Sequence, residues 1–420
     1  MKKIVVASGI LLLLSAPAHA VLTLLDCVTL AQEQNPTLVT ARHQPLVAES
    51  SITQARSGYL PTLDVRAGYT VQAEPQAIIT SAGVQTTQQD HYRSASLIAE
   101  QTLYDFGRTA HRIDAATAQR SAAKEAVRGI EQEVLMQTIS AYYRILQYQN
   151  QLATAEAQVN SVTDHLRVVK VLFDEGVVTR NDLLQAEVRL ATSRQQQLEW
   201  ENAIANGWLH LDRLIGKPFD FRAELSEETL IEPGAATAAC TEELAGRPDL
   251  KSAQQQIAAS RAESELGRRQ FMPQFFARAE ANYVENETVR EQTIYAATLG
   301  VRGNLFDGFA TTATRRRVLE GEAQSRDHLH ELQQAAESEY RASINDLEVA
   351  TARIASLQGT IAQAEENLRI NRERYREQVG TATEVLDAQS LLTETSSNYH
   401  RAVYDRAIAE AGVLKSLGKL

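Results

Sequence analysis

A few side chains in this sequence have the spacing of catalytic or metal-binding residues. Ser121 and Lys124 are three apart, as in penicillin-binding enzymes, but the Ser-Asp-Asn and Lys-Thr-Gly motifs of those enzymes are missing from the sequence. His328 and His330 are two apart, which on a helix points the rings to different faces and makes a poor metal site. The sequence also contains no phosphate-binding loop or cofactor motif. It therefore predicts neither an enzyme nor a bound cofactor.

Three carboxylates have a more informative placement. Glu384 and Asp387 are three residues apart at the start of a predicted helix and so share one face. Asp182 holds the position of Glu384 in a corresponding helix 202 residues earlier. One interpretation is structural, because acids at a helix start stabilise the positive end of the helix dipole. The other is that these carboxylates surround a symmetry axis as rings, which select cations at a constriction.

These acids follow two long helical seams with coiled-coil spacing. The first seam comprises Leu152, Ala155, Val159, Val162, Leu166, Val169 and Phe173, and the second comprises Ile354, Leu357, Ile361, Ala364, Leu368, Asn371 and Tyr375. Each seam leads into a short break and then a new helix. The sequence thus predicts two helical hairpins, whose first helix, from about 106 to 175, would be roughly 100 Å long.

The hairpins belong to two copies of one larger repeat. Asn35-Pro36 and Arg247-Pro248 are 212 apart, whereas Leu103-Tyr-Asp and Leu305-Phe-Asp are 202 apart. This pattern indicates a tandem duplication. We expect a first repeat over 21–231, a linker rich in small residues over 232–240 and a second repeat over 241–420.

Within each repeat the helical pattern gives way to alternation of apolar and charged residues. The apolar positions are Leu63, Val65, Ala67 and Tyr69, then Ala95, Leu97 and Ala99, then Phe275, Ala277, Ala279 and Ala281, and finally Ala297, Leu299 and Val301. Period two predicts four strands with one apolar and one polar face, as in membrane barrels. The alternative is a water-soluble sheet packed on helices. Four strands cannot close a barrel, so membrane insertion would require several copies of the chain.

The first 20 residues resemble a signal peptide, with a basic start, an apolar run and Ala18-His-Ala20 before the expected cleavage site. The residues before Cys27 are too large for a lipoprotein signal. In the oxidising compartment that secretion implies, Cys27 and Cys240 could pair or remain buried thiols. The formal net charge of -11 argues against nucleic acid as a partner.

Several of these motifs together resemble the TolC family of outer-membrane efflux proteins. They are the motif at Asn35, Gly58-Tyr-Leu-Pro-Thr-Leu, Leu103-Tyr-Asp-Phe-Gly, Leu305-Phe-Asp-Gly-Phe, the motif from Gly176 to Ala186 and the motif from Val379 to Ala388. The resemblance covers the whole chain after the signal peptide. It implies a mixed, mainly α-helical fold: a homotrimer with a 12-stranded outer-membrane β-barrel, four strands per chain, continued by a periplasmic barrel of helical coiled-coil hairpins.

The resemblance also assigns roles to residues near the ends of the hairpins. It implies a cation-selective constriction at Glu384 and Asp387, and a closing hydrogen bond between Tyr375 and Asp182. The sequence departs from TolC at Gly380, where an arginine of the same closing contact would stand; this glycine leaves the contact weak or serves the backbone of the turn. The predicted adaptor-binding tips are Gly176, Val177, Val178, Thr179, Arg180, Val379, Gly380 and Thr381.

By this resemblance the chain is a passive exit duct in the outer membrane of a Gram-negative bacterium, extending into the periplasm. Its expected partners are outer-membrane lipid, a periplasmic adaptor and an inner-membrane transporter of the ABC or RND type. Type I protein secretion and multidrug efflux both remain open. An alternative is a periplasmic coiled-coil adaptor or scaffold, which would lack a membrane barrel.

Overall fold

A computed structural model describes residues 21–227 and 241–420, which form two compact units. One unit, the hairpin unit, comprises the described residues of Met1–Thr40, Ile130–Arg247 and Ala336–Leu420. The other, the sheet unit, comprises Ala41–Gly129 and Pro248–Ala335. Each unit takes segments from both sequence repeats. The predicted signal peptide (1–20), the linker (232–240) and Cys240 lie outside the described residues.

The helices and strands of the described residues follow one another along the chain as follows. The helices are α1 (Leu24–Gln34), α2 (Pro36–Ala41), α3 (Gln44–Arg56), α4 (Arg108–Asp174), α5 (Arg180–Ile215), α6 (Thr241–Leu244), α7 (Pro248–Arg269), α8 (Ala310–Leu357), α9 (Thr360–Arg376) and α10 (Ala382–Ser416). The strands are β1 (Val21–Leu22), β2 (Thr62–Val71), β3 (Ala77–Thr80), β4 (Gly83–Thr86), β5 (His91–Tyr104), β6 (Glu224–Leu225), β7 (Gln274–Val284) and β8 (Thr293–Arg302).

The main sheet of the sheet unit has the antiparallel strand order β2-β5-β7-β8. Its register aligns the predicted apolar positions across all four strands: Leu63 pairs with Ala99, Ala99 with Ala279, and Ala279 with Ala297. Apolar side chains on this face are uncovered in the single chain, and Leu299 is 80% exposed. The prediction of one continuous apolar face is therefore confirmed.

The opposite face of the sheet carries a charged cluster. Glu100 accepts hydrogen bonds from Arg278 Nε at 3.0 Å and from Arg302 Nη2 at 2.9 Å. Arg302 also lies 4.7 Å from the centre of the Phe276 ring, and that ring covers Gly300 so closely that a Cβ there would lie 2.5 Å from Phe276 Cζ. These contacts join strands of both repeats through side chains that the period-two pattern places on one face.

The turn from strand to long helix depends on an aspartate in each repeat. After β5, Asp105 accepts hydrogen bonds from the backbone N–H groups of Gly107 at 3.0 Å and Thr109 at 2.7 Å. After β8, Asp307 accepts one from the N–H of Thr311 at 2.9 Å. These bonds satisfy backbone donors that the first helical turn leaves free. The motifs Leu103-Tyr-Asp-Phe-Gly and Leu305-Phe-Asp-Gly-Phe are thus helix-start motifs.

The largest core of the hairpin unit lies where α1 packs against α4, α5 and α10. Tyr142 is fully buried there, and its single hydroxyl proton is shared between the carbonyl oxygens of Leu22, at 3.0 Å, and Ser226, at 2.6 Å. Leu22 lies in β1 and Ser226 directly follows β6, so the tyrosine holds this parallel pair of strands onto the helices. Cys27 is also buried here, and burial raises the pKa of its thiol to about 12, which keeps it protonated.

Both seams have buried residues at predicted positions, but only the first lies on one unbroken helix. Val162 and Val169 in the first seam and Leu368 and Tyr375 in the second are all buried. The first seam lies on the uninterrupted α4, whereas the second is broken at Gly359, between α8 and α9. The first repeat has alanine at the corresponding position, and glycine is the poorer helix former by about 1 kcal/mol. The prediction of a continuous second seam was therefore wrong at this glycine.

Within residues 21–227 and 241–420, we find no helix whose length and apolar character would let it cross a membrane.

Candidate functional site

The candidate site lies where each hairpin reverses direction, and both reversals have the same local geometry. In the first, Thr179 is the N-cap of α5: its Oγ1 accepts from Asp182 N at 3.3 Å, and Asp182 Oδ2 accepts from Thr179 N at 2.9 Å. In the second, Thr381 and Glu384 make the same reciprocal pair at the start of α10, at 3.3 and 3.1 Å. Both are capping boxes, which position the acids at the helix starts.

The sequence already contained the signal for these caps. A threonine precedes each acid by three residues, which is the spacing of a capping box. The hydrogen bonds of Asp182 and Glu384 therefore agree with the interpretation that these acids stabilise the starts of their helices. It does not exclude a second role, because a capping carboxylate that is partly exposed keeps its charge available to solvent.

Glu384 and Asp387 have different surroundings despite their shared helix. Arg374 Nη1 lies 3.5 Å from Glu384 Oε2, and both side chains are nearly half exposed. Asp387 is exposed and lines a groove of about 540 Å³ between α5 and α10, together with Leu184 and Ser390. Sequence reasoning missed Arg374, which lies on the preceding helix and partly offsets the charge of Glu384.

Tyr375 is buried rather than bonded to the other tip. It packs with Val169, Ala186 and Val385, and its ring centre lies 5.3 Å from that of His165. Among the residues that the structure describes, its hydroxyl has no hydrogen-bond partner. The carboxylate of Asp182 is instead held by its own capping box, so the hydrogen bond predicted between these two side chains is not formed. Burial, and then the charge of Asp182, raise the pKa of Tyr375.

Gly380 has a steric role at the second tip. The left-handed residue of this turn is Gln378, with φ +64°, at the position that Gly176 holds in the first turn with φ +75°. Gly380 does not have a positive φ. A Cβ on it would lie 3.1 Å from Arg374 Cβ and 3.1 Å from Glu384 Oε2. The expectation that Gly380 serves an unusual backbone conformation was therefore wrong; it allows α9 and α10 to approach closely.

A pair of substitutions tests the two turns. Gly176→Ala places a side chain at positive φ, where nothing else lies within 4 Å, and should destabilise the first turn by about 1 kcal/mol. Gln378→Gly removes that same strain and should stabilise the second turn by a similar amount. Hydrogen exchange of the Val177 and Val379 amides, which bond to Leu172 O at 2.8 Å and Arg374 O at 2.9 Å, measures both. Shifts in the same direction would contradict this account.

The remaining tip residues form an exposed surface with apolar points. Val177 and Val379 are 47% and 65% exposed, and Arg180 is also exposed.

A cluster of polar side chains connects the two hairpins. The sequence did not predict it. Gln389 Nε2 donates to Gln158 Oε1 at 2.7 Å, and Gln389 Oε1 accepts from Arg372 Nη2 at 2.9 Å and from the Ser161 hydroxyl. Thr393 completes this cluster with a bond to Gln158 Oε1 at 2.6 Å. The members come from α4, α9 and α10, and Gln158 and Gln389 are buried. Hydrogen bonds of this kind, centred on two buried side chains, fix the relative position of helices.

The residues considered for catalysis have structural partners. The Ser121 hydroxyl donates to Thr117 O at 3.1 Å, one helical turn earlier, and Lys124 is exposed. His328 contacts Glu331 at 3.2 Å, and His330 contacts Gln334. Each of these is an ordinary contact between residues of the same helix.

A sheet with an uncovered apolar face, together with capped helical hairpins, is the architecture expected of an outer-membrane export channel. The sequence matches the outer membrane efflux protein family over residues 27–217 and 240–419, and the chain belongs to this family. The predicted resemblance to the TolC family is thereby confirmed. The protein is located in the outer membrane of a Gram-negative bacterium and extends into the periplasm.

Individual relatives agree with this assignment. The chain is 25% identical to the alkaline protease secretion protein AprF of Pseudomonas aeruginosa, over 96% of this chain and 85% of AprF. It is 21% identical to the outer membrane protein TolC of Vibrio cholerae, over 93% and 89%. Its fold matches the Campylobacter jejuni CmeC outer membrane channel with a TM-score of 0.85 at 15% identity, over 94% of this chain and 85% of CmeC.

Proposed function

We propose that three copies of this chain form one outer-membrane exit duct, closed by a 12-stranded barrel. The observation that carries this proposal is the four-stranded sheet, in which β2 and β8 each have only one neighbour in the part of the chain that the structure describes. Lipid tolerates neither open edges nor unbonded backbone, so copies must supply the missing neighbours. The continuous apolar face is then the lipid-facing surface.

The assembly is tested by electrophoresis of outer-membrane fractions. Unheated samples should migrate as a trimer and boiled samples as a monomer, because a closed barrel resists detergent until heat unfolds it. Cross-linking of the unheated sample should stop at three chains. A folded, monodisperse monomer after detergent extraction would contradict the proposal, and recovery in the soluble periplasmic fraction would favour the adaptor or scaffold alternative.

The chain acts as a passive conduit rather than as an enzyme, with the energy supplied by an inner-membrane transporter of the ABC or RND type. A periplasmic adaptor would contact the tips, where exposed Val177 and Val379 offer apolar contact points. The tandem repeats 21–231 and 241–420 would then give each subunit two similar tips, as the matching capping boxes support. Opening requires the second hairpin to move relative to the first.

We favour proteins, rather than small toxic compounds, as the cargo. AprF, named for alkaline protease secretion, matches this chain over nearly its whole length. A second relative, the proteases secretion protein PrtF of Dickeya chrysanthemi, is also 25% identical, over 89% of this chain and 83% of PrtF. Deletion of the gene should abolish export of a secreted protein while leaving resistance to small toxic compounds unchanged. The reverse result would favour drug efflux.

In the closed state, Glu384 and Asp387 form acidic rings around the entrance. Support comes from their position beside the second tip and from the exposed carboxylate of Asp387 in the groove. The buried polar cluster of Gln158, Ser161, Arg372, Gln389 and Thr393 takes the place of the missing Tyr375–Asp182 bond within one chain. It holds the two hairpins together until the adaptor separates them.

A further inference from the structure

A cavity of about 210 Å³ lies between α4, α9 and α10, close to the tips but separate from the groove that contains Asp387. Its polar lining consists of Ser161, Asp164, His165, Arg372, Tyr375 and Arg376. The volume exceeds that of several water molecules, each of which takes about 30 Å³ in the liquid. The cavity can therefore hold a small ligand of a few heavy atoms.

Two polar atoms beside this cavity have no protein partner. The Tyr375 side chain is 93% buried, since only 7% of its surface is exposed, and its hydroxyl makes no hydrogen bond to any described residue. His165 Nε2 is likewise buried and unpaired within the described part of the chain. Buried polar groups nearly always have a partner, so these two indicate a ligand that supplies one. Both can act as donors.

The lining of the cavity carries two guanidinium groups and one carboxylate, and the charge of Asp182 also acts on the Tyr375 hydroxyl from outside the lining. Arg372 and Arg376 are one helical turn apart on α9, and their side chains repel each other. Burial and this repulsion lower the pKa of Arg372. The one acid in the lining, Asp164, is exposed and pairs with Arg167 at 2.9 Å. A negative charge inside the cavity would offset the repulsion between the two arginines.

Arg372 has donors left for such a ligand. Its Nη2 is used by Ser161 and Gln389 in the polar cluster. Its Nε and Nη1 have no acceptor among the described residues, so each can donate a single charge-assisted N–H bond to an oxyanion. Arg376 is exposed at the rim and makes no hydrogen bond or ion pair within the described chain. The cavity thus combines free guanidinium donors, a second cation, a hydroxyl and an imidazole.

We propose that this cavity binds a small oxyanion of the phosphate or sulfate type. The anion accepts hydrogen bonds from the Tyr375 hydroxyl, from His165 Nε2–H and from the guanidinium of Arg372, with Arg376 adding charge at the rim. Its walls come from both hairpins, since α4 belongs to the first and α9 and α10 to the second. Bound anion therefore stabilises the arrangement in which the hairpins lie together. This consequence for opening rests on the proposed function; the binding itself does not.

Calorimetry on the purified, detergent-solubilised protein tests the binding. Sulfate and phosphate, titrated at constant ionic strength, should bind and chloride should not. Tyr375→Phe removes no existing hydrogen bond, so the protein should fold, yet sulfate affinity should fall about tenfold because a bond to a charged acceptor is lost. Arg376→Gln should also weaken binding. The matched controls Tyr59→Phe and Arg194→Gln, both at exposed positions, should bind as the parent protein does.

The pH dependence gives a second test. Burial and the charge of Arg372 lower the pKa of His165, so the free cavity holds a neutral imidazole, whereas a bound anion favours the charged form. Binding therefore takes up a proton, and sulfate affinity should rise as the pH falls from 8 to 5.5, a range in which sulfate keeps its charge. The other charged and titratable groups around the cavity are Asp164, Asp182, Arg372, Arg376 and Tyr375. His165→Gln should remove most of this slope.

The proposal is overturned if sulfate and phosphate bind no better than chloride, or if Tyr375→Phe and Arg376→Gln bind sulfate like the parent. Either result leaves trimer formation and export untouched, because those are measured by electrophoresis and secretion. Conversely, sulfate binding by a protein that fails to form a trimer would support the site and contradict the proposed assembly.

Discussion

Replacing Glu384 by glutamine and Asp387 by asparagine is expected to weaken block by trivalent cations about a hundredfold in planar bilayers, because charges lining a narrow cleft concentrate counter-ions by 10- to 1,000-fold. In a trimer the double substitution removes two carboxylates from each subunit at one level of the entrance. Cation selectivity should fall in parallel. Glutamine can still serve in a capping box, so α10 should keep its start and assembly should be unchanged.

The structure also predicts how this effect divides between the two acids. Glu384 faces Arg374 at 3.5 Å, which offsets part of its charge, whereas Asp387 has no such partner in the described chain and lies exposed in the groove. Asp387→Asn alone should therefore account for the larger share of the lost block.

Glu377→Gln is the matched control, since Glu377 is an exposed acid beside the same tip. It should leave the block unchanged. If trivalent cations block the double variant as they block the parent protein, Glu384 and Asp387 do not line the constriction, and their role is limited to the helix start.

Gln389→Leu is expected to destabilise the contact between the hairpins by about 3 kcal/mol, because each buried polar group that loses its partner costs about 1–3 kcal/mol. Leucine fills a similar volume but cannot bond to Gln158 or Arg372. If the polar cluster holds the hairpins together in the closed state, the variant should show a higher open fraction in bilayers. Its trimer should also dissociate at a lower temperature.

Gln363→Leu provides the comparison, because Gln363 is exposed on α9 and makes no hydrogen bond within the described residues. It should change neither the open fraction nor the dissociation temperature. An unchanged open fraction in Gln389→Leu, together with lower stability, would show that the cluster supports the fold without restraining the opening.

Local sequence was sufficient for the strands and for the starts of the helices. Alternation at Leu63 and Val65 identified the apolar face, because successive side chains of a strand must point to opposite sides. The capping boxes at Thr179 and Thr381 were also readable, since both partners lie within three residues of each other. The prediction for the second seam was wrong only at Gly359. The weak preference of glycine against helix was hidden there by the long periodic pattern of apolar residues.

The contacts of the side chains near the tips depended on how the helices pack, both within one tip and between segments far apart in the chain. The resemblance to TolC implied a hydrogen bond between Tyr375 and Asp182, but local capping already uses the acid, and burial against Val169 encloses the tyrosine. Gly380 is explained by the close approach of Arg374, which the sequence could not reveal.

The sequence by itself therefore determined the duplicated hairpins, the amphipathic strands, the family and the outer-membrane location, since each follows from periodicity or from motifs of a few neighbouring residues. Only the tertiary structure decided which polar groups meet between the hairpins. Arg372 on α9 reaches Ser161 on α4 across 211 positions of sequence. Such a contact depends on how helices pack side by side, and helical periodicity specifies which face is buried but not which residues of two buried faces come together.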